Sequence, residues 1–225
     1  MRILLLNLFL VLLMPISAAC QTFTNGVYVK NGVTFEVDKK IHQVTTQETL
    51  HFSNGLIVKV YTNSDFTVNS LFQEVYDIDK PAHTAKFGGS TFAATLMNGS
   101  ATVVYNGSTN ENSSCVISTP MTDLELYKGT FYFKVTDNRV IVFVLDGSLK
   151  SHGDKKKENT VTAGYAVLAM LNDIGILEDK ISLGAEKVKV DTIKKLSDDA
   201  QDIVKSKGTY LFIIHDGKTV GVNIN

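Results

Sequence analysis

Apolar and polar residues alternate by two along much of the chain after its first twenty or so positions. Phe131, Phe133 and Val135 fall on one side of an extended segment, with Thr130, Tyr132 and Lys134 on the other. Leu124 and Leu126 oppose Asp123 and Glu125 in the same way. A strand sends successive side chains to opposite faces, so this period predicts antiparallel strands buried on one side. Val140 to Leu145 is apolar throughout and predicts a central strand covered on both faces. Turn signals punctuate the strands: Asn25-Gly26, Asn31-Gly32, Asn54-Gly55, Asn98-Gly99, Asn106-Gly107, Asp146-Gly147 and Asp216-Gly217. Asn or Asp followed by Gly supplies the positive φ angles of a type I′ turn at low cost, so most of these predict hairpins. Asn106-Gly107 instead opens a polar run to Ser114 that predicts a surface loop.

The predicted strands lie near Gly26–Val29, Val33–Val37, Thr49–Phe52, Leu56–Tyr61, Phe66–Val68, Leu71–Tyr76, Ser90–Met97 and Ala101–Tyr105. They continue near Ser114–Ser118, Asp123–Tyr127, Gly129–Val135, Arg139–Leu145, Ser148–His152 and Thr160–Val167. Short strands at such regular spacing suit a sandwich, a barrel or a short β-solenoid. The tail differs. Ile193, Leu196, Ala200, Ile203 and Val204 recur at helical spacing, with Asp191 as N-cap and Gly208 as stop, which predicts a helix over Val190–Lys207. A hairpin around Asp216-Gly217 should follow, and Ala166 to Leu171 is either strand or short helix.

The opening of the chain has another pattern. Met1-Arg2 precedes an apolar run, Ile3 to Ile16, and then the small residues Ser17-Ala18-Ala19 before Cys20. That is the layout of a secretory signal peptide, and the run is too short for a spanning helix. Cleavage after Ala19 suits soluble secretion. It also leaves Cys20 first, as in a bacterial lipoprotein, so Cys20 is a candidate for lipidation and outer-membrane anchoring. If it is not lipidated, Cys20 and Cys115 are a candidate disulfide, since the compartment is oxidising. The expected division is a signal peptide over 1–19, an all-β domain over 20–168 and a small α+β unit over 169–225.

Composition excludes several functions. The 22 Lys+Arg against 23 Asp+Glu leave no field for nucleic acid. Arg2 and Arg139 are the sole arginines, so guanidinium recognition of phosphate is nearly absent. His42, His51, His83, His152 and His215 are scattered, with no pair at metal-ligand spacing. No nucleophile elbow, phosphate loop or dinucleotide fingerprint occurs. Asp123 and Glu125 share a strand face, but carboxylates on the polar side of an amphipathic strand are ordinary. Lys155-Lys156-Lys157 sits in a polar segment and predicts a solvated loop tip. Cys115 has no basic neighbour in sequence, which favours a structural role over nucleophilic catalysis. No catalytic, metal or cofactor residue is assigned, and no cofactor is expected.

One segment carries an ordered signature. It runs Val116-Ile117-Ser118-Thr119-Pro120, Lys128-Gly129-Thr130-Phe131-Tyr132-Phe133, Val140 through Leu145 to Asp146-Gly147-Ser148-Leu149, and Val161-Thr162-Ala163-Gly164. It resembles the FecR-like domain, with the likeness good over 114–168 and loose from 25. Upstream, Leu50-His51-Phe52-Ser53-Asn54-Gly55-Leu56 resembles that family's early strand, turn and strand. The resemblance implies structural roles for Pro120, Gly129, Thr130, Phe131, Asp146, Gly147 and Gly164. Pro120 suits a strand end, Gly129 a bend needing positive φ, and Asp146-Gly147 a hairpin. Well-known members relay siderophore signals to a sigma factor through a cytoplasmic segment. This sequence opens on an export leader instead, so direct sigma-factor control is not expected, and Lys128 stands where the family commonly has Arg. The expectation is a mainly β protein, an antiparallel sandwich or short solenoid with a small C-terminal α+β unit. Its expected role is a non-catalytic, exported bacterial module that senses, scaffolds or binds an envelope protein, in the periplasm, on the outer membrane or outside the cell. The alternative is a carbohydrate- or surface-binding β-sandwich, which a flat platform of exposed Tyr and Phe would favour.

Overall fold

The computed structural model describes residues 21–30, 33–37, 45–76, 86–106, 113–152, 158–170, 186–187, 190–205, 210–215 and 218–223. Residues 1–19, read above as an export leader, lie outside the described residues, as do Cys20, His42, His83, the triple lysine and Gly208.

The strands are β1 (Gln21–Asn25), β2 (Val27–Lys30), β3 (Val33–Glu36), β4 (Glu48–Phe52), β5 (Leu56–Val60), β6 (Asp65–Tyr76) and β7 (Lys86–Tyr105). There follow β8 (Ser114–Ser118), β9 (Asp123–Thr136), β10 (Arg139–His152), β11 (Glu158–Thr162), β12 (Tyr165–Met170) and β13 (Glu186–Lys187). The helix α1 (Val190–Lys205) and the hairpin β14 (Tyr210–His215) and β15 (Lys218–Asn223) complete the order.

The pairing registers fold one continuous sheet into two layers. In the first, the order is β3, β2, β4, β5, then the second half of β7, the second half of β9, the first half of β10, β12 and β13. In the other, it is β1, β6, the first half of β7, β8, the first half of β9, the second half of β10, and β11. Three long strands therefore pass from one layer to the other. The layers enclose one core, in which Phe52, Phe92, Phe131, Phe133, Leu124 and Leu126 are fully buried. Phe52 of the first layer meets Phe92 of the second edge to face, with centroids 5.0 Å apart. Edge-to-face contact suits the ring quadrupoles. The architecture is thus a sandwich, not a solenoid.

Several turn signals prove to be corners. Asn98-Gly99 lies inside β7: Asn98 pairs Asp65 in one layer and Gly99 pairs Val135 in the other. Gly99 has φ +98°, and a Cβ there would sit 2.6 Å from the Cα of Ser64. Asp146-Gly147 likewise lies within β10, opposite Thr130 and Gly129, and closes no hairpin. Asn25-Gly26 joins β1 and β2, which pair with strands of different layers. In each case the flanking segments keep pairing outward with separate neighbours, so the chain bends without reversing. The strand pairs predicted on either side of residues 69–70, 98–99, 128 and 146–147 accordingly merge into β6, β7, β9 and β10. The segment predicted as Thr160–Val167 is the converse case: it breaks at Ala163-Gly164 into β11 and β12.

True hairpins occur elsewhere. Gly55, at φ +80°, closes β4 onto β5, with its N–H donating to the Phe52 carbonyl at 3.0 Å. Registers Lys30↔Val33 and His215↔Lys218 join β2 to β3 and β14 to β15, although Asn31-Gly32 and Asp216-Gly217 themselves lie outside the described residues. β7 and β8 pair parallel, the exception to the expected antiparallel pattern. Val140, Val142 and Val144 are buried, whereas Ile141, Phe143 and Leu145 are only half-buried. The expected cover on both faces of that strand is therefore partial, because α1 lies across only part of the outer face.

The helix forms where the sequence places it, but it starts at Val190, so Asp191 is not its N-cap and lies within the first turn, where a carboxylate still suits the positive end of the helix dipole. Leu196, Ala200 and Ile203 stand at helical spacing, and Ala200 and Ile203 are buried. Ile203 packs with Ile57 of β5 and Val104 of β7 on the outer face of the first layer. The helix also touches β10, so it runs across the strands. The terminal hairpin packs elsewhere, against β1, β2 and β3.

Candidate functional site

The family-like residues converge on one corner. Gly129 pairs Gly147, and Thr130 pairs Asp146. The Ala163 N–H donates to the Gly147 carbonyl at 3.1 Å, and the Gly164 N–H to the Val144 carbonyl at 2.9 Å. Gly129 has φ +159°, close to extended, so its need for glycine comes from proximity: a Cβ would collide with the Asp146 carbonyl. Gly147 has φ +77°, and a Cβ there would meet the Lys128 carbonyl. Gly164 adopts φ +88° in the β11–β12 turn. Phe131 is fully buried, Thr130 half-buried and Asp146 exposed. Pro120 is exposed in the β8–β9 connection, which the Thr119 hydroxyl closes by donating to the Thr122 carbonyl at 2.8 Å. These groups position backbone; none is arranged to transfer a proton or hold a ligand.

The Asp123 and Glu125 carboxylates lie on the outer face of the second layer. Glu125 Oε2 stands 3.6 Å from His152 Nε2, and Lys150 lies over the Tyr127 ring at 5.8 Å. The cluster is open to solvent and is an ordinary cross-strand charge array. Among the described residues no group of three or more His, Cys, Asp or Glu could hold a metal ion. No helix among them is long and apolar enough to cross a membrane.

Cys115 is a free thiol with no exposed surface, and burial pushes its pKa far up. A thiol held protonated is a poor nucleophile. Its neighbour Tyr105 is pushed up to about 12 by burial first and by Cys115 second, with the Ser90 and Ser113 hydroxyls partly offsetting. The Tyr105 hydroxyl is buried without a hydrogen bond of standard geometry. This is a packed interior, reinforced nearby by Ser53 donating to Gln73 Oε1 at 2.8 Å and by Gly89 N–H donating to Glu74 Oε2 at 2.9 Å.

The outer face of the first layer is different. Its registers align rows of outward residues. One row holds Lys59, Thr102, Tyr132, Phe143 and Ala166, and the next holds Ser100, Lys134, Ile141 and Leu168. Tyr61, two positions after Lys59, is half-buried beside them. Tyr61 and Tyr132 stack edge to face at 6.0 Å and 67°, and Tyr132 and Phe143 lie 6.1 Å apart at 40°. The Lys59 ammonium sits 5.2 Å above the Tyr61 ring. The Tyr61 and Thr102 hydroxyls share a hydrogen bond at 2.9 Å. Burial raises the Tyr61 pKa, the Thr102 bond works against it, and the charge of Asp199 on α1 adds to the rise. Tyr61, Tyr132, Phe143, Ile141 and Leu168 are all half-buried, and Met170 at the edge is 52% exposed. The sequence places Tyr132 on the outward side of its strand; its meeting with Tyr61 and Phe143 needs the cross-strand register, which no local pattern carries.

No protein-family model and no curated protein matches the chain. Two similar crystal structures are each described as a "putative anti-sigma factor" from Parabacteroides distasonis ATCC 8503. One is 13% identical with a TM-score of 0.43, the match covering 61% of this chain and 57% of that one. The other is 11% identical with a TM-score of 0.42, covering 82% of this chain and 98% of that one. At this level of similarity neither assigns a role to individual residues.

Proposed function

We propose that the protein is a non-catalytic, exported, FecR-like module of the bacterial envelope that binds another protein. The observation that carries the reading is the aromatic cluster Tyr61, Tyr132 and Phe143 on the outer face of the first layer. Partly exposed aromatic rings beside cations on a sheet are the kind of side chain that dominates protein interfaces. The rings are inclined by 67° and 40° to their neighbours, so they form a ridged surface. A sugar ring stacks on a flat face, and this relief favours a protein partner over the carbohydrate alternative. The ordered residues Gly129, Asp146-Gly147 and Gly164 support the FecR-like assignment, since they meet at one corner, and Pro120 stands apart in the β8–β9 connection.

The test has two parts. Sequencing the N-terminus of protein from the cell envelope should give Cys20, lipidated or free; an intact Met1 there would refute export. Crosslinking in intact cells should trap the chain on a protein, and the yield should fall for Tyr132→Ala with the fold intact. A yield unchanged by that substitution would refute the assignment of the aromatic row.

A further inference from the structure

We infer that β11, the open edge of the second layer, pairs antiparallel with β11 of a second copy of this chain, joining the two sheets across a two-fold axis at Thr160. The inference stands apart from the aromatic cluster, which lies on the other layer.

The edges of the two layers are not treated alike. At one side the end strands are β1 and β3, and both lie against β14 of the terminal hairpin. The far side of the first layer ends in β13, only two residues long and made of Glu186 and Lys187. A short, charged edge strand resists pairing with another chain. The far side of the second layer ends in β11, and it is open: among the described residues β10 is its one strand partner. Asn159 to Thr162 contains no Pro, Gly or charged residue, and its pairing with β10 runs without a bulge. The strand thus lacks the features that keep edges apart.

The direction of its free backbone groups follows from the register. The Ala163 N–H donates to the Gly147 carbonyl at 3.1 Å, one step beyond the pair Ser148↔Thr162. Along an antiparallel strand the backbone groups turn to alternate sides from one residue to the next. Val161 and Asn159 therefore direct amide and carbonyl to β10, as Ala163 does, while Thr162, Thr160 and Glu158 direct theirs to the open side. This set is symmetric about Thr160. An antiparallel copy centred there sets Thr160 against its own counterpart and Glu158 against Thr162 in both directions, so every outward amide and carbonyl of the strand gains a partner. A register shifted by two residues leaves Glu158 of each copy without one. A different protein would have to bring an open edge of its own, whereas this chain already carries one of matching length and direction.

The side chains admit the pairing. Thr160 and Thr162 are exposed and Val161 is buried. The central contact is then threonine on threonine, a favourable cross-strand pair. Lys150 stands one strand back, opposite Thr160. Its counterpart in the second copy would stand three strand spacings away, about 14 Å. That is beyond the ~8–10 Å over which exposed charges act in ordinary salt. The two strands run in opposite senses, so the lysine runs that precede them fall at opposite ends of the seam. A two-strand seam is a small contact, so the dimer should form in a concentration-dependent way.

The test uses the full chain. Sedimentation velocity between about 1 and about 100 µM should show the mass rising from one chain to two. Thr160→Pro removes an amide that the fold does not use, so the variant should fold and stay monomeric throughout. Asn159→Pro removes one that pairs with β10, and should lower the urea midpoint by more than Thr160→Pro does. Thr160→Lys sets like charges face to face, and should weaken the dimer at least ~10-fold at low salt with recovery at high salt. That variant decides the matter if Thr160→Pro fails to fold. A wild-type chain that stays monomeric over the whole range overturns the inference, as does a dimer that a folded Thr160→Pro or Thr160→Lys leaves unchanged. A photocrosslinker at position 160 in intact cells should trap a second copy; a different protein trapped there, or none, overturns the choice of occupant. Tyr132→Ala should leave the dimer unchanged, so failure here and failure of the aromatic cluster are told apart.

Discussion

Replacing Gly147 by Ala tests whether the corner, and not a turn, is what the Asp-Gly pair builds. Two costs apply at this position. Its φ of +77° is a left-handed conformation, which costs an L-residue about 1–2 kcal/mol. The added Cβ also meets the Lys128 carbonyl and lies 2.7 Å from the Gly129 Cα, both backbone atoms that no rotamer change can move. Forcing such an approach typically costs about 1–3 kcal/mol in a packed region. The expected total is about 2–5 kcal/mol, a large part of the ~5–15 kcal/mol by which domains are stable. Two companions separate the terms. Gly55→Ala has nearly the same φ, +80°, but no atom within 4 Å of the new Cβ, so it carries the conformational cost alone. Its net effect should be below about 1.5 kcal/mol, since Ala also restricts the unfolded chain. Gly129→Ala has near-extended φ but collides with the Asp146 carbonyl, so it carries chiefly the contact.

The assay is urea unfolding followed by far-ultraviolet circular dichroism, since the chain has no Trp. With an m-value of about 2–3 kcal/mol/M, Gly147→Ala should lower the midpoint by ~1–2 M, and Gly55→Ala by well under 1 M. Gly129 and Gly147 face the same gap, so the double variant should cost less than the sum of the two singles. Equal midpoints for Gly147→Ala and Gly55→Ala would refute the close approach of β9 and β10 at the corner. Additive losses at 129 and 147 would do the same.

Tyr61→Phe keeps the ring contacts but strands the buried Thr102 hydroxyl, and should cost about 1–2 kcal/mol in the same melts. Adding Thr102→Val should recover part of that loss; no recovery would place the cost outside this hydrogen bond. Stability should fall at alkaline pH, because burial raises both Cys115, above its ordinary value of 9.0, and Tyr105, to about 12. The folded state then keeps protons that the unfolded chain releases, so stability is full below the unfolded values and declines as pH rises past them. Cys115→Ala should move the onset from near pH ~9 to the tyrosine range above pH ~10. An unmoved onset, or labelling of the native thiol by a thiol reagent at pH ~8, would contradict the buried placement.

Much of the fold is legible because its signals are local. Strand identity comes from period-two alternation, as in Phe131, Tyr132 and Phe133. The helix comes from Leu196, Ala200 and Ile203 at helical spacing, and the β8 bounds from polar flanks around Cys115-Val116-Ile117. What local signals do not carry is the difference between a reversal and a corner. Asn54-Gly55 and Asp146-Gly147 look alike in sequence, and both glycines have positive φ, +80° and +77°. The first reverses the chain because β4 and β5 pair with each other. The second bends it because β9 runs past both sides of it. That choice belongs to long-range pairing. The aromatic row is hidden for the same reason. Tyr61, Tyr132 and Phe143 are far apart in sequence, and each alone is an unremarkable outward residue on an amphipathic strand.

The corners also explain how one set of strands presents two unlike surfaces. Beyond Gly129 the outward side of β9 shows Thr130, Tyr132 and Lys134; before it, the outward side shows Asp123, Glu125 and Tyr127. In β10 the outward residues before Gly147 are Ile141, Phe143 and Leu145, and after it Lys150 and His152. A strand that stayed in one layer would continue a single outer face. Handing β9 and β10 across at paired glycines lets the chain set aromatic rings with Lys59 and Lys134 on one side and the Asp123, Glu125, Lys150 and His152 charges on the other. The glycines therefore act on the shape of the aromatic row at a distance. A side chain at 129 or 147 would push the two strands apart where Thr130 pairs Asp146, only two residues from Tyr132 and three from Phe143. Loss of the corner should thus disturb the aromatic row before it disturbs the Glu125–His152 pair, whose strands are held by the separate Leu124↔Ser151 and Glu125↔Lys150 register.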